Sequence, residues 1–570
     1  MQWSAANTED VSSRLVIDNG VDATLDVGTN DVTLASGFGG GGTGALTKAG
    51  SGTLTLAGNN TYTGGTTIND GVLAFASGAL GTSGTIAFAG NSTLRWSGAN
   101  TQDISSRLVI DNGVDATLDV GTNDVTLASG FGGNGTGALT KVGSGTLTLT
   151  GNNTYSGGTT ITAGTLAFAS GALGTTGTIS FIGNAALRWY GYNTQDISGR
   201  LMLSDGLNAT LDVGTNSVTL ATAIGGGSSA SLTKAGTGTL LFTGNNTYTG
   251  GTTIGAGTLQ VGGNTTAGTV GSGAVVDNGS LVFDLSGSAT IANAISGSGM
   301  VAQSSSGTLI LTGNNSYAGT TTINAGTLQI GAGGTTGSLG TGSVAGSYTT
   351  LAFDRSDNVN VANALGGTIG VVQQGTGTLT LTGSNTYAGT TTVNAGTLQI
   401  GAGGTTGSLG TGSVTGSALL AFDRNDNVTV ANALGGTMSV VQEGTGTLTL
   451  TGSNTYTGTT TINAGSTLQV GSSNASVLPN GTGTGTVIVN GTLDLNGYSP
   501  TVGGLTGSGT VTSSVAGTST LSIGNNNAAS SFAGVIQDGS GTVALTKIGT
   551  GSLTLTGSNT YSGGTTIIAG

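Results

Sequence analysis

Residues 51–75, SGTLTLAGNNTYTGGTTINDGVLAF, contain a tyrosine motif that recurs along the 570-residue chain. Close copies surround seven tyrosines: Tyr62, Tyr155, Tyr248, Tyr317, Tyr387, Tyr456 and Tyr561. The intervals between them are 93, 93, 69, 70, 69 and 105 residues. A common step of about 23 residues fits five of the six intervals, as four or three multiples of that step. Such a step is typical of one coil of a β-solenoid, in which each turn of the chain stacks on the previous one.

Inside this stretch, apolar residues alternate with hydroxyl residues. Leu54 and Leu56 alternate with Thr53 and Thr55, so one side of the strand is apolar and the other is polar. Glycine and asparagine follow at residues 58–60 and again near residue 70, where they tolerate the backbone angles of tight corners. These features predict an all-β parallel β-helix, or β-solenoid, with about 23 residues per coil. The residues expected to point inward are Leu54, Leu56, Leu147, Leu149, Leu379 and Leu381.

The composition fits a long, thin core. Glycine accounts for 113 residues, but the chain has only two prolines and no glycine at every third position, which excludes collagen. Because 35% of the residues are hydrophobic and only 6% are charged, the chain also differs from a disordered polymer. We predict one elongated rod with three segments. These are residues 1–260 with four-coil units, 261–470 with three-coil units, and 471–570, a divergent continuation that stops within a repeat.

The charge and the missing residue types exclude several functions. The net charge is −13, and no basic cluster is available to neutralise phosphates, so we predict no nucleic-acid partner. The chain has no Cys and no His, which excludes disulfides, thiolate or His-based zinc sites, and Ser–His–Asp or Cys–His catalysis. No run of about 20 apolar residues occurs, so no transmembrane segment is predicted.

One cationic position recurs before the tyrosine motif. Lysine occupies it in four copies, at Lys48, Lys141, Lys234 and Lys547, and glutamine occupies it at Gln373 and Gln442. An alternation between lysine and glutamine indicates a position that needs polarity but not charge. We therefore predict a solvated polar surface position.

The repeated string G-x-G-T-L-x-L-x-G-x-N-x-Y-x-G-x-T-T-I-x-x-G-x-L resembles the autotransporter-associated β-strand repeat found in passenger regions of bacterial autotransporters. The resemblance implies a right-handed parallel β-helix that is displayed outside a Gram-negative cell. It also implies export through a C-terminal translocator β-barrel. Neither the signal sequence nor the barrel of that family is present in these 570 residues, so we expect this chain to be an internal piece of a longer protein.

Carboxylate chemistry is the catalytic possibility that the composition leaves open. Asp22 and Asp26 share one face of a strand, but residues i and i+4 lie ~13 Å apart at ~3.3 Å per residue. That separation exceeds the ~5–9.5 Å used by glycosidases. The pair recurs as Asp115 and Asp119, and loses one carboxylate at Asn208 and Asp212. Pairs across adjacent coils remain possible at this stage.

Two acidic turns could offer oxygen atoms to Ca²⁺. They comprise Asp354, Asp357 and Asn358, and Asp423, Asp426 and Asn427. Arg355 and Arg424 lie within these turns, and the pattern differs from calcium-binding nonapeptide solenoids. We therefore interpret both segments as solvated turns and predict no metal site and no cofactor.

Three further features have structural and functional interpretations. Trp3, Trp96 and Trp189 could contact sugars, but packing or a bend of the coil explains them equally well. The Asn59-Asn60-Thr61 sequon and its repeats are typical of tight turns and matter for glycosylation only in a glycosylating host. Outward Thr-x-Thr pairs are found in ice-binding solenoids, although here the TLTLT string occurs only once in three or four coils.

The sequence therefore predicts a surface-exposed, non-catalytic autotransporter passenger segment that acts as a stiff stalk or an adhesive surface. Its partners would be host or environmental surface molecules, and its location would be the cell surface, the outer membrane or the extracellular space. Two alternatives remain, a polysaccharide-active β-helical enzyme and an ice-binding threonine-rich solenoid. We predict no catalytic, cofactor-binding or metal-binding residue.

Overall fold

The computed structural model describes residues 1–40, 42–133, 135–227, 229–474, 476–481 and 484–570. These residues form two compact units, Met1–Val282 and Phe283–Gly570. The helices within the described ranges are three single turns of 3₁₀ helix, at Ser12–Arg14, Ser105–Arg107 and Ser198–Arg200. All other regular structure in these ranges is β-strand.

The strands of the first unit are β1 (Ala23–Asp26), β2 (Val32–Leu34), β3 (Leu46–Ala49), β4 (Thr53–Leu56), β5 (Thr66–Ile68), β6 (Val72–Phe75), β7 (Ile86–Phe88), β8 (Ser92–Trp96), β9 (Leu108–Ile110), β10 (Asp115–Asp119), β11 (Val125–Leu127), β12 (Ala138–Val142), β13 (Thr146–Leu149), β14 (Thr159–Ile161), β15 (Thr165–Phe168), β16 (Ile179–Phe181), β17 (Ala185–Trp189), β18 (Leu201–Leu203), β19 (Asn208–Asp212), β20 (Ser217–Leu220), β21 (Gly225–Gly226), β22 (Ser231–Ala235), β23 (Thr239–Phe242), β24 (Thr252–Ile254), β25 (Thr258–Thr265), β26 (Val275–Asp277) and β27 (Ser280–Leu285), whose residues include the unit boundary.

The strands of the second unit are β28 (Ser288–Ile291), β29 (Ile295–Ser296), β30 (Met300–Gln303), β31 (Thr308–Leu311), β32 (Thr321–Ile323), β33 (Thr327–Ile330), β34 (Val344–Gly346), β35 (Thr350–Phe353), β36 (Val359–Val361), β37 (Leu365–Gly367), β38 (Gly370–Gln373), β39 (Thr378–Leu381), β40 (Thr391–Val393), β41 (Thr397–Gly404), β42 (Val414–Gly416), β43 (Leu419–Arg424), β44 (Val428–Val430), β45 (Ser439–Gln442), β46 (Thr447–Leu450), β47 (Thr460–Ile462), β48 (Thr467–Val470), β49 (Thr486–Val489), β50 (Thr492–Asp494), β51 (Thr501–Val502), β52 (Gly504–Thr506), β53 (Thr510–Thr512), β54 (Thr518–Ile523), β55 (Ser530–Phe532), β56 (Val535–Ile536), β57 (Thr542–Lys547), β58 (Leu553–Leu555) and β59 (Thr565–Ile567).

The strands pair in parallel with strands of the next coil. In the first unit Leu54 of β4 pairs with Leu73 of β6, which pairs with Leu94 of β8. In the second unit Leu379 of β39 pairs with Leu398 of β41. The predicted all-β parallel solenoid is confirmed, with roughly 21 residues between stacked positions rather than the predicted 23.

The difference in coil length arises because the sequence repeat does not equal a whole number of coils. Four steps along one ladder, starting at Val32 and passing Leu54, reach Leu118, which covers 86 residues. The sequence repeats every 93 residues, so each motif copy begins about one strand later than four complete coils would place it. The motif strands β4, β13 and β23 accordingly lie in three different ladders of the first unit.

The inward register predicted for the motif leucines is confirmed. All six leucines are at most 1% exposed: Leu54, Leu56, Leu147, Leu149, Leu379 and Leu381. Strands β4 and β39 show the expected alternation, with threonines on the other side, whereas in β13 Thr148 is buried as well. Each such buried side chain contributes about 1.5–3 kcal/mol relative to an exposed one, so the leucine stacks form the core of each unit.

Candidate functional site

The motif tyrosines lie in the core, beside a threonine of the following strand. Tyr62 is fully buried, and its hydroxyl forms a 2.8 Å hydrogen bond with Oγ1 of Thr66. Burial raises the pKa of Tyr62 to about 12, so the hydroxyl stays neutral at physiological pH. The same bond, at 2.6–2.9 Å, joins Tyr155 to Thr159, Tyr248 to Thr252, Tyr317 to Thr321, Tyr387 to Thr391, Tyr456 to Thr460, and the partly buried Tyr561 to Thr565. A buried tyrosine of this kind is not available to a ligand.

Glycine of the next coil covers the tyrosine ring in the three-coil units. A Cβ atom at Gly410 would lie 2.5 Å from Cδ2 of Tyr387 and would also clash with its carbonyl oxygen. Gly340 has the same relation to Tyr317. The coils are therefore in contact at this corner, and the glycine is required by the close approach.

The asparagine two residues before the tyrosine connects three successive coils in six of the seven motif copies. Asn385 accepts a hydrogen bond from the backbone N–H of Leu365 at 3.0 Å and donates one from Nδ2 to the carbonyl of Ser408 at 2.8 Å. Equivalent pairs of bonds are made by Asn60, Asn153, Asn246, Asn315 and Asn454. Turn formation explains only part of this residue's role, because its side chain satisfies buried backbone groups of both neighbouring coils.

The recurrent lysine position is buried, so the prediction of a solvated surface position is wrong. Lys141 is 0% exposed, and its Nζ donates to the carbonyls of Gly143 at 2.7 Å and Ala163 at 2.9 Å. Lys48, Lys234 and Lys547 are buried in the same way and donate to carbonyls of their own and the next coil. The aliphatic part of the side chain lies in the core. The amine donates hydrogen bonds to carbonyl groups at a corner, where the backbone is no longer paired in a strand ladder.

Burial lowers the pKa of Lys141 to about 8, against the opposing effect of the Asp119 and Asp124 carboxylates. The amine therefore remains largely protonated at pH 7 and keeps three N–H donors.

In the three-coil units, glutamine at the same position also donates hydrogen bonds to corner carbonyl groups. Nε2 of the buried Gln373 donates to the carbonyls of Gly375 at 2.7 Å and Gly377 at 3.0 Å, and Gln442 makes the corresponding bonds.

The carboxylates considered for catalysis form ion pairs and turns instead of a joint site. Asp119 accepts a 2.6 Å bond from Nε of Arg95 on the preceding coil, and Asp212 pairs with Arg188 at the same distance. Asp115 accepts bonds from the hydroxyl of Thr140, while Asp26 accepts the backbone N–H of Gly28 at 2.9 Å. Asp22 of the first copy is exposed, and in the third copy Nδ2 of Asn208 donates to the hydroxyl of Thr233. Arginine is thus the cross-coil partner of Asp119 and Asp212, and threonine that of Asp115.

The acidic turns considered for Ca²⁺ are organised around arginine. Asp357 forms a two-pronged ion pair with Arg355, at 2.8 and 2.7 Å, and Asp426 does so with Arg424 at 2.8 and 2.5 Å. Asn358 and Asn427 accept backbone N–H groups of the next coil, and Asp354 and Asp423 accept long bonds from Gln329 and Gln399. Arg355 also donates to the carbonyls of Thr335 and Gly337, so it fastens the loop of the preceding coil. Within the described ranges, no group of three or more His, Cys, Asp or Glu side chains is arranged to hold a metal ion.

The tryptophans pack within the first unit. Trp96 is 2% exposed, its ring centroid lies 5.1 Å from that of Phe75, and its indole N–H donates to the carbonyl of Gln102 at 3.0 Å. Trp3 and Trp189 are equally buried and make the same indole bond, to Glu9 and Gln195. Packing rather than sugar contact explains these three residues.

The outward threonines stack over a limited number of coils. Thr93, Thr117, Thr140 and Thr160 follow one another on adjacent strands, but the next partners are Ser180 and Met202. This column does not form the regular threonine array that the ice-binding alternative requires.

No helix in the described part of the chain has the length and apolarity that crossing a membrane requires.

One buried carboxyl was missed because nothing in its local sequence distinguishes it. Asp277 lies on the ladder that contains Lys234 and Ile254, and it is 0% exposed. Its Oδ1 accepts the backbone N–H of Gly279 at 2.9 Å, whereas Oδ2 has no hydrogen-bond partner among the described residues. Burial raises the pKa of Asp277 to about 6, so folding at neutral pH places a charge in an unfavourable environment.

Asn385→Ala should destabilise the second unit. The substitution leaves the N–H of Leu365 and the carbonyl of Ser408 without partners, and each unsatisfied buried group costs about 1–3 kcal/mol. The midpoint of urea unfolding should fall clearly. Ser384→Ala, which changes the exposed neighbour of Asn385, is the matched control and should leave the midpoint unchanged. Equal midpoints for both variants would show that the asparagine does not connect the coils.

Lys141→Met should be more destabilising than Lys141→Gln. Methionine fills a similar volume but leaves the carbonyls of Gly143 and Ala163 unsatisfied, at about 1–3 kcal/mol each. Glutamine retains two N–H donors and occupies this position naturally at Gln373. Urea unfolding at pH 7 compares the two variants. A methionine variant at least as stable as the glutamine variant would contradict a carbonyl-binding role for the lysine.

Asp277→Asn should stabilise the protein at neutral pH and have no effect in acid. Because the folded pKa is raised, the stability contributed by the protonated carboxyl is complete below the unfolded value of 3.8 and is lost as pH rises through about 6. Asparagine resembles the protonated acid at every pH. Unfolding midpoints at pH 4 and pH 7 test this, with the exposed Asp111→Asn as the charge control. A difference that is the same at both pH values would exclude a raised pKa.

A family model described as the passenger-associated-transport-repeat matches seven segments of the chain. They are residues 46–75, 139–168, 232–261, 302–330, 371–400, 440–470 and 545–570. Each segment runs from the region of the buried lysine or glutamine through the tyrosine and, except at the end of the chain, into the next strand. The repeat that the family model recognises is therefore the corner described above.

The chain is also similar to the adhesin BmaC autotransporter of Brucella suis biovar 1 (strain 1330). The two sequences are 33% identical over 483 residues, which is 69% of this chain and 14% of that relative. This chain thus spans about a seventh of the length of the curated relative that it matches. No solved structure matches it. The repeats and this similarity show that the chain belongs to the passenger-repeat proteins of bacterial autotransporters, the family that its tyrosine motif resembles.

Proposed function

We propose that this chain is a non-catalytic, surface-displayed passenger segment that acts as a stiff stalk and carries an adhesive surface. Its partners would be molecules on a host or environmental surface. The segment would be located at the bacterial cell surface or outside the cell.

The observation that carries the proposal is the inward use of the repeated polar residues. In the motif copy around Tyr387, the tyrosine hydroxyl, the Asn385 amide and the Gln373 amide are all bonded to the protein itself. Asn385 joins neighbouring coils, while Tyr387 and Gln373 fix the corner within one coil, as a load-bearing scaffold requires. Since each coil stacks on its two neighbours, stability accumulates along the repeat array.

The adhesive part of the proposal has a different support. The matched relative is named an adhesin autotransporter, and this chain covers 14% of it. The polysaccharide-enzyme alternative requires clustered free carboxylates, whereas Asp119 and Asp212 are paired with arginine. The ice-binding alternative requires a long threonine array, and the column that starts at Thr93 ends at Met202.

Surface display can be tested with single cysteines, because the natural chain has none. Ala99→Cys lies at an exposed corner of the first unit, and Leu147→Cys lies in its core. When the parent autotransporter is exported in a Gram-negative host, a membrane-impermeant maleimide added to intact cells should label the first variant and spare the second. Labelling of Ala99→Cys in lysed cells only would overturn the proposed location.

The stalk and adhesive roles need a second measurement. Cells that display the parent protein should attach to epithelial monolayers more strongly than cells whose passenger lacks residues 1–570, at equal surface levels. The purified chain should release no reducing ends from neutral or acidic polysaccharides and should cause no thermal hysteresis in ice. Unchanged attachment would overturn the adhesive role, and a positive result in either purified assay would favour the corresponding alternative.

A further inference from the structure

An exposed aromatic groove is present in only one of the three copies of the tryptophan-containing sequence. In the second copy the residues after Trp96 are Ser97, Gly98 and Ala99, whereas Trp189 of the third copy is followed by Tyr190, Gly191 and Tyr192. The backbone is equivalent in the two places. Both glycines have positive φ, 61° and 66°, and the residues before them donate to the matching carbonyls of Phe75 and Phe168.

The two additional tyrosines lie outside the aromatic core of the first unit. Tyr192 is fully exposed and Tyr190 is about half exposed, in contrast to the buried motif tyrosines. The four aromatic ring contacts found in the described ranges join Phe38 to Tyr62, Phe75 to Trp96, Phe131 to Tyr155 and Phe168 to Trp189. Neither Tyr190 nor Tyr192 takes part in them, and neither hydroxyl has a hydrogen-bond partner in the described part of the chain. Exposing apolar ring surface without a structural gain is unfavourable, so a ligand is a sufficient reason for both side chains.

The two rings line an open groove of about 560 Å³, which is within the ~300–1,000 Å³ range of small-ligand sites. Its other lining residues are Arg188, Trp189, Gly191, Gly214, Thr215 and Asn216. Arg188 is about half exposed and donates from Nε to Asp212 at 2.6 Å, so the positive charge at the groove is neutralised while further guanidinium N–H groups face solvent. Thr215 is exposed and adds a hydroxyl at the groove wall, whereas Asn216 beside it is buried and its Nδ2 donates to the carbonyl of Val213 at 3.0 Å.

We propose that this tyrosine groove binds a neutral oligosaccharide, with pyranose rings placed against Tyr190 and Tyr192. The apolar C–H face of a pyranose packs against an aromatic face. Its hydroxyl groups form hydrogen bonds with uncharged or neutralised polar groups, such as the Thr215 hydroxyl and the Arg188–Asp212 pair. The acidic chain and the neutralised arginine oppose nucleic acids and other polyanions. The groove offers two rings rather than a continuous apolar surface, which is too little for insertion into a lipid bilayer.

This inference deepens the adhesive part of the proposed function by naming the class of ligand, and it can fail separately from surface display. The protein itself provides the variants. Tyr190→Ser with Tyr192→Ala restores the residues that the same corner has at Ser97 and Ala99, where the fold accepts them. The reverse pair, Ser97→Tyr with Ala99→Tyr, builds a second tyrosine groove beside the Arg95–Asp119 ion pair.

The purified 570-residue chain should be applied to an array of immobilised neutral glucose, galactose and mannose oligosaccharides of two to six units. The best oligosaccharide is then titrated by calorimetry against the chain and both double variants. The Tyr190→Ser/Tyr192→Ala variant should bind at least about tenfold more weakly, because two aromatic contacts are lost. The Ser97→Tyr/Ala99→Tyr variant should bind about two ligands per chain instead of one.

Equal unfolding midpoints for the three proteins ensure that the comparison reports binding rather than folding. Binding to no neutral oligosaccharide at millimolar concentration, or equal affinity of the natural chain and the Tyr190→Ser/Tyr192→Ala variant, would overturn the proposal. Phosphatidylcholine vesicles and acidic oligosaccharides serve as competing probes. Tyrosine-dependent binding to either of them, without binding to neutral sugars, would assign the groove to that ligand and would also overturn the proposal.

Discussion

The fold depends on satisfying buried backbone groups at the corners of the coil. Within strands, each backbone N–H and C=O forms a hydrogen bond with one of the adjacent coils. Where the chain turns, these groups have no strand partner, although they are still buried away from water. The side chains of Asn385, Lys141 and Gln373 supply the missing partners. Most of the polar residues that recur in this chain are explained by that requirement. The low charge of the chain follows as well, because amides and hydroxyls suffice where the partners are backbone groups.

A second consequence concerns the length of the sequence repeat. If 93 residues made four complete coils, every motif copy would lie on the same side of the solenoid. Because four steps of the ladder use 86 residues, the copies at β4, β13 and β23 lie on successive ladders instead. The second unit follows the same rule with a shorter repeat, since three steps from Leu309 to Val371 use 62 residues and the sequence repeats after 70. Successive motif copies therefore lie on different ladders within each unit, which places the buried tyrosines and amides on more than one side of the coil.

The inward face of the strands could be read from the sequence, because the alternation of Leu54 and Leu56 with threonine is a local pattern. The coil length was predicted slightly too long, since dividing repeat intervals by whole numbers assumes that motif copies stack directly. The lysine position was misread for a different reason. The partners of Lys141 include Ala163, 22 residues away in sequence, and no local pattern shows that a carbonyl of the next coil will lie beside the amine. The buried Asp277 and the cross-coil role of Asn385 were missed on the same grounds.

Since the repeated residues are occupied by the scaffold, binding specificity is best sought where one copy departs from the others. A residue that the fold needs recurs at every equivalent corner, as the buried tryptophans do at Trp3, Trp96 and Trp189. A residue that serves a ligand can occur once. Tyr190 and Tyr192 meet this condition, because the equivalent corner is stable with serine and alanine and the tyrosine rings are left in solvent. The arginine–aspartate pairs at Arg95 and Arg188 occur in two of the three copies, with Gln2 at the arginine position of the first, so they are not specific to the tyrosine groove. In a repeat protein the internal copies thus act as controls for one another, and they separate what holds the coils together from what faces the outside.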